Sequence, residues 1–242
     1  MTGLGTIINT ASVLAGGAVG HFAGKLFKED QQESLTKTCG VGVLFIAVAG
    51  AMQGMLKVEN GMLTAGKSML VVLCLLTGTL FGEIIGIEKG FERFGEWLKR
   101  KSGNSGDVQF VDAFVSASFT ICIGAMTIVG AIQDGILGDY TTLAVKSVLD
   151  FIIVVVMTSS MGKGAVFSAI PVFVIEGGVT LLAKVIAPVM TELAISYLSL
   201  IGSILIFCVG INLVWGKKIK VANMLPAVIF AVIASYLPWS FL

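Results

Sequence analysis

Residues 48–53 read Val48-Ala-Gly-Ala-Met-Gln53, and the pattern returns as Ile128-Val-Gly-Ala-Ile-Gln133 and as Cys208-Val-Gly-Ile-Asn212. The three glycines stand at 50, 130 and 210, eighty residues apart each time. The flanks agree as well. Leu56-Lys-Val-Glu-Asn-Gly-Met-Leu-Thr-Ala65 follows the first copy, and Ile219-Lys-Val-Ala-Asn-Met-Leu-Pro-Ala227 follows the third. Lys67-Ser68-Met-Leu is echoed by Lys146-Ser147-Val-Leu, and Val13-Leu-Ala-Gly-Gly17 by Val174-Ile-Glu-Gly-Gly178. Recurrence at a fixed interval marks a fold assembled from related units.

Each copy lies inside an apolar run. Of the 242 residues, 56% are hydrophobic and 13% charged, with mean hydropathy +0.96. Soluble domains carry about 25% charged residues, and this chain has too little polar surface to cover one. The 30 glycines suit close helix packing in a bilayer. The expected fold class is therefore an all-α integral membrane protein, with the lipid bilayer as its surroundings. A net charge of +1 gives no basis for a nucleic-acid partner. Cys39, Cys74, Cys122 and Cys208 form no CxxC pair and read as small apolar side chains. A lone histidine cannot build a metal site, and no cofactor motif is present. The first run has no basic start, so it reads as a retained helix and not a cleaved signal.

A span needs about 20 mainly apolar residues. Eight segments qualify: 4–26, 39–56, 67–87, 112–133, 143–158, 164–186, 193–214 and 221–241. The second and fifth are short, and only 159–163 separates the fifth from the sixth. With eight crossings, twelve of the sixteen Lys and Arg fall on one side. They are Lys25, Lys28, Lys37, Lys89, Arg93, Lys99, Arg100, Lys101, Lys163, Lys217, Lys218 and Lys220. Lys57, Lys67, Lys146 and Lys184 fall on the other. The positive-inside rule makes the richer side cytoplasmic and puts both termini outside. A single broken crossing for segments five and six would weaken that bias. The stretch 88–101 carries Phe91, Phe94, Trp97 and Leu98 at helical spacing and reads as a cytoplasmic helix lying in the interface. The whole chain is then one transmembrane domain. Unit 1–87 matches unit 164–242, and a related pair, 112–158, lies between them. Five segments separate matched partners, so the two units are inverted, as in many secondary transporters.

The chain resembles the bacterial multi-spanning membrane proteins grouped as domain of unknown function 554. The resemblance covers nearly the whole chain. It is clearest at Gly5-Thr-Ile-Ile-Asn9 leading to Gly16-Gly17, at Gly124-Ala-Met126 through Gly130-Ala-Ile-Gln-Asp-Gly135, and at Lys146-Ser-Val-Leu-Asp150. Where family members often carry Tyr-Gln-Gly, this chain has Ile175-Glu176-Gly177, a departure at Glu176. The resemblance implies a place in the cytoplasmic membrane of a bacterium. It brings no activity, substrate or site residue.

Ionisable side chains at bilayer depth cost about 2.5–3.5 kcal/mol on insertion scales and point to function. Asp150 lies four residues after Lys146, on the same helix face. The pair either serves a cation or proton or fixes the helix against a neighbour. Glu176 has no acid–base partner within a turn and can carry a proton, because burial penalises the charged form. Gln133, Asn9 and Asn212 are amides suited to orienting a solute, and equally to bonding across helices. Asn60, Asn223 and Gln53 belong to the same matched set. His21 and Glu83, each framed by glycines four apart, read as close helix contact or as a proton relay. Residues 158–164 lack phosphate-loop spacing, which removes a nucleotide site.

The leading expectation is a secondary transporter of a small solute or ion, with its site where the repeats meet. A channel is the near alternative, and a scaffold or partner subunit docking through 88–101 is the distant one. An intramembrane enzyme is disfavoured: there is no HExxH and only one histidine. Oligomeric state is left open, a homo-oligomer included. Reporter fusions test the topology. An export-dependent phosphatase fused after residue 242 should be active, and one fused at Gly103 should be silent; the reverse pattern would overturn the orientation.

Overall fold

The computed structural model describes residues 2–237 except Lys25, Phe27, Asn60, Ile123 and Gly124, and it leaves the side chains of Glu29, Glu59 and Ala125 undescribed. Of the described residues, 83% are helical. In order it forms α1 (Leu4–Gly24), α2 (Glu29–Met55), a hairpin of β1 (Leu56–Glu59) and β2 (Met62–Ala65), α3 (Ser68–Ile85) and α4 (Ile87–Lys101). There follow α5 (Phe110–Cys122), α6 (Ala125–Leu137), α7 (Thr141–Met161), a 3₁₀ turn (Lys163–Ser168), α8 (Ala169–Leu181), α9 (Ala183–Ile186), a second 3₁₀ turn (Ala187–Val189), α10 (Glu192–Trp215), α11 (Val221–Met224) and α12 (Pro226–Ala234). Among the described residues, five helices are long and apolar enough to cross a membrane, or six if the bent α5–α6 pair is one span. α1 has 21 residues, about 30 Å of helix, but carries Asn9 and His21.

Several boundaries differ from the expected segments. α2 begins at Glu29, ten residues before the apolar run, because 29–38 holds good helix formers and no Gly or Pro. The fourth segment is two helices, α5 and α6, bent by 61°. The eighth is the short α11–α12 pair, where Pro226 starts a new helix because it cannot continue the old one. Residues 238–241 of that segment lie outside the described residues, as do Asn60, Lys25 and Gly124. The 56–65 stretch folds as a hairpin through Gly61, whose φ of +77° suits the turn.

Glycines set the helix pairing. A Cβ on Gly16 would lie 2.7 Å from the Phe151 carbonyl oxygen, one on Gly20 2.5 Å from that of Val155, and one on Gly24 2.8 Å from that of Ser159. Both numbers of each pair rise together, so α1 and α7 run parallel at backbone contact. α1 and α8 run antiparallel: Gly17 faces Val166, Asn9 faces Glu176 and Thr6 faces Thr180. The chain therefore reverses between α7 and α8, at Gly162 with φ +97°. α2 and α10 are also antiparallel, with Gly40 on Val214, Gly210 on Leu44 and Gly54 on Leu200. α3 opposes α11–α12, with Gly78 on Ala227 and Gly82 on Asn223.

The α2–α10 contact is reciprocal. Shifted by the spacing of Gly50 and Gly210, position 40 becomes 200 and position 54 becomes 214. Gly40 packs on Val214 and Gly54 on Leu200, so the two contacts map onto each other under that shift. The contacts of α1 with the 3₁₀ turn and α8 follow the same shift, with Gly17 on Val166 and Gly177 near Thr6.

The main core lies between α2, α3, α5, α10 and α11–α12. Outside it, Phe45, Ile46, Leu76, Leu80, Ile84, Ile152, Phe173 and Val174 stand exposed. An apolar belt this wide suits lipid, not water. α4 turns off α3 at Gly86, φ +73°, and lays Phe91 on Phe119 and Phe94 on Phe114. Gly16→Val should destabilise the protein by about 1–3 kcal/mol, because the branched side chain meets backbone that cannot yield. Gly42→Ala, with nothing within 4 Å, should leave the melting temperature in detergent unchanged. Equal stability of both variants would refute the contact.

Candidate functional site

Three helices deliver a polar cluster to the protein interior. α7 contributes Lys146 and Asp150, which pair across one helical turn. α1 contributes Asn9, whose Nδ2 donates to Asp150 Oδ2 at 2.9 Å and to Glu176 Oε1 of α8 at 2.7 Å. Lys146 Nζ also lies 3.4 Å from Glu176 Oε1 and donates to the Ile121 carbonyl at 2.7 Å. That carbonyl is available because α5 ends at Cys122, and the last carbonyls of a helix have no partner within it. All four side chains are buried: Asn9 is 0% exposed, Glu176 1%, Asp150 3% and Lys146 6%.

The charges do not balance. Lys146 offers one positive charge to two carboxyl groups. Its ammonium donates to Ile121 and Asp150 and lies 3.4 Å from Glu176. Glu176 Oε2 and Asn9 Oδ1 are buried without a partner. Buried polar atoms are nearly always bonded, and an uncompensated buried charge costs several kcal/mol. An orphaned carboxylate oxygen and an orphaned amide oxygen, on two side chains already hydrogen-bonded to each other, thus offer a place for a proton or a cation.

The cluster is sealed on both sides. Val13, Val154 and Val172 each stand one turn from Asn9, Asp150 and Glu176, and all three are fully buried. On the other side, Thr6 and Thr180 share a hydrogen bond of 3.4 Å. Next to them, Gly135 of α6 packs on Thr180 and Ala183. Asp134 then accepts from the Gly3 and Gly5 N–H groups at 3.1 and 2.9 Å, a carboxylate at the positive end of α1.

Beyond the valines opens a cavity of about 1010 Å³, between the start of α2, α5, the end of α7 and the end of α10. Gln32, Glu33, Asp107, Asp112, Ser160 and Asn212 are among its lining residues. Phe119 also lines it. At its rim Lys217 bridges Glu88, at 3.1 Å, and Glu92. Burial alone would lower the Lys217 ammonium's pKa, but bonds from Glu92 and Glu88 hold it above the ordinary lysine range. Glu88 also accepts from the Ala222 N–H at 3.0 Å, and its own N–H donates to Asn223 at 2.7 Å.

Of the residues singled out by sequence, Asn9, Lys146, Asp150 and Glu176 meet. Gln133 and Asn212 lie elsewhere. Gln133 Oε1 accepts from the Thr142 hydroxyl at 2.7 Å, across the α6–α7 turn. Asn212 braces the loop after α10, donating to the Ile219 carbonyl and accepting from the Lys218 and Ile219 N–H groups. Glu83 pairs with Lys220 at 3.1 Å, and the His21 ring packs against Phe22. Four features escaped the sequence reading: Asp134, Glu88, the Ile121 carbonyl and the valine layer. Asp134 adjoins the second amide motif, which could have flagged it. The others depend on contacts far apart in the chain. Among the described residues, no group of three His, Cys, Asp or Glu side chains is placed to hold a metal.

The family of proteins described as "Protein of unknown function (DUF554)" matches residues 4–236. The chain belongs to that family. It is similar to the "Uncharacterized membrane protein YdfK" of Bacillus subtilis (strain 168), 29% identical over 225 residues, covering 93% of this chain and 92% of that one. It is also similar to the "Uncharacterized protein YqgA" of Escherichia coli (strain K12), 28% identical over 232 residues and 94% of each chain. No solved structure matches it.

Asn9 donates to two carboxyl groups, and its bond to the ion-paired Asp150 is worth about 1.5–3 kcal/mol. Asn9→Leu keeps the volume and removes both. It should lower stability in detergent by at least that amount, while Asn212→Leu, at a half-buried loop brace, should cost less. Thermal melts of both variants decide the order.

Proposed function

We propose that this protein is a secondary transporter of a small solute or ion across the bacterial cytoplasmic membrane, with the Asn9–Lys146–Asp150–Glu176 cluster as its coupling site. One observation carries the reading: a sealed ionic cluster with one carboxyl group in excess, built against the end of an interrupted helix. Transporters place ion and substrate sites at such helix breaks, where freed backbone carbonyls help to hold a cation. Ile121 is such a carbonyl, and it already holds the Lys146 ammonium.

The helix directions support eight alternating crossings. α1 is parallel to α7 and antiparallel to α8; α2 and α3 oppose α10 and α12. Those are the relations that eight successive spans require. The reciprocal α2–α10 and α1–α8 contacts support two opposed units about a twofold axis in the membrane plane. That axis passes near 11–12 of α1 and 171–172 of α8, within a little over one turn of Asn9 and Glu176. Both ends of the described chain lie opposite the cavity, which the lysine count makes the outside. In this reading the cavity faces the cytoplasm, the Thr6–Thr180 and Asp134 contacts close the outer side, and exchange of these roles moves the solute. Closure on both sides of the cluster favours alternating access over a channel.

Proteoliposomes carrying the purified chain test this on solid-supported membranes, with panels of monovalent cations, primary amines and neutral amino acids. Asp150→Asn should abolish any transport current that the native protein shows, by at least tenfold. Full retention of that current would remove Asp150 from the mechanism.

A further inference from the structure

Glu176 holds the excess charge, and its surroundings say what neutralises it. From α7 it faces the Lys146 ammonium and the Asp150 carboxylate. From α1 it faces the Asn9 amide. From α5 the Cys122 thiol lies within electrostatic reach. On α6, the Asp134 carboxylate is committed to the Gly3 and Gly5 N–H groups. A metal cation here would sit beside the Lys146 ammonium, which donates to Ile121 and Asp150 and lies 3.4 Å from Glu176. The repulsion disfavours it, and two spare oxygens fall short of the roughly six that a hard metal cation takes.

A proton meets no such objection. The Asn9 amide already donates to Glu176 Oε1. The atoms left over are Glu176 Oε2 and Asn9 Oδ1, both acceptors, both buried and both unpartnered. One proton on Oε2 turns it into a donor, and the amide oxygen is the waiting acceptor. The two groups then form a cyclic acid–amide pair, N–H to carboxyl oxygen and O–H to amide oxygen. A single proton thus removes the excess charge and both orphaned atoms. Lys146 and Asp150 remain an ion pair, and the cluster is neutral.

We infer that Glu176 is protonated in this state and that the proton is the coupling ion of the transporter proposed above, on which this assignment rests. Release is a simple transfer. The Oε2–H bond breaks, the proton passes to water once one seal opens, and the carboxylate left behind turns to Lys146. Deprotonation breaks the acid–amide bond between α1 and α8, the two helices that carry the Thr6–Thr180 seal. Proton loss and loosening of the outer side are therefore linked.

Infrared spectroscopy of the full chain, reconstituted in phosphatidylglycerol–phosphatidylethanolamine vesicles, reads this without any solute. The native protein should show the C=O stretch of a buried protonated carboxyl at neutral pH. Glu176→Gln, which keeps the shape and supplies an N–H to Asn9, should lose that band completely. Lys146→Met removes the counter-ion, so both acids become neutral and the band should about double. Absence of the band in the native protein, its survival in Glu176→Gln, or its failure to grow in Lys146→Met overturns the assignment. So does a melting temperature raised by sodium chloride over choline chloride in the native protein but not in Glu176→Gln, because the site would then take a metal ion. The band needs no transport. Absent flux would sink the transporter reading alone, and an absent band would sink the proton alone.

Discussion

The structure turns on one constraint: two carboxyl groups and one ammonium share a site that water does not reach. In a low-dielectric interior that imbalance cannot be ignored, and the surrounding helices are arranged around it. α1 supplies an amide that bonds both acids. The interruption between α5 and α6 supplies a carbonyl for the lysine. Valines close one side and threonines the other. Each element looks ordinary alone. Together they hold a charge state that would be untenable on any single helix.

Close backbone approach is what allows the cluster to form. α1 and α7 touch along Gly16, Gly20 and Gly24, and a methyl group at any of them would strike backbone. This contact brings Asn9 within hydrogen-bond reach of Asp150. In lipid there is little hydrophobic drive between helices, so such packing and the interhelical hydrogen bonds carry the association. The glycines that look like a packing motif are therefore also the reason that the ionic site exists.

Some of the site was legible in the sequence. Lys146 and Asp150 are four apart, and helix geometry alone puts them on one face. Glu176 stood out as an acid in an apolar run. Asn9, Gln133 and Asn212 are all amides in repeated or apolar stretches, yet only Asn9 reaches the cluster. Gln133 and Asn212 sit near helix ends, where a side-chain amide finds unpaired groups of the adjoining turn or loop at hand. Periodicity identifies a polar residue in a helix but not the neighbour that it meets.

By itself the sequence determined that this chain is helical and suited to a membrane. Composition and run length do that, because apolar segments of about 20 residues have few other stable homes. It also determined the recurring Gly-centred units and the pairing of Lys146 with Asp150, which are local in the chain. Only the tertiary structure decided that the fourth segment is bent at its middle, that the chain reverses at Gly162, and that Asn9 and Glu176 close the cluster. Those features join residues 141 and 167 positions apart. Which helix faces which depends on backbone contacts between glycines and distant helices, and no local pattern encodes them.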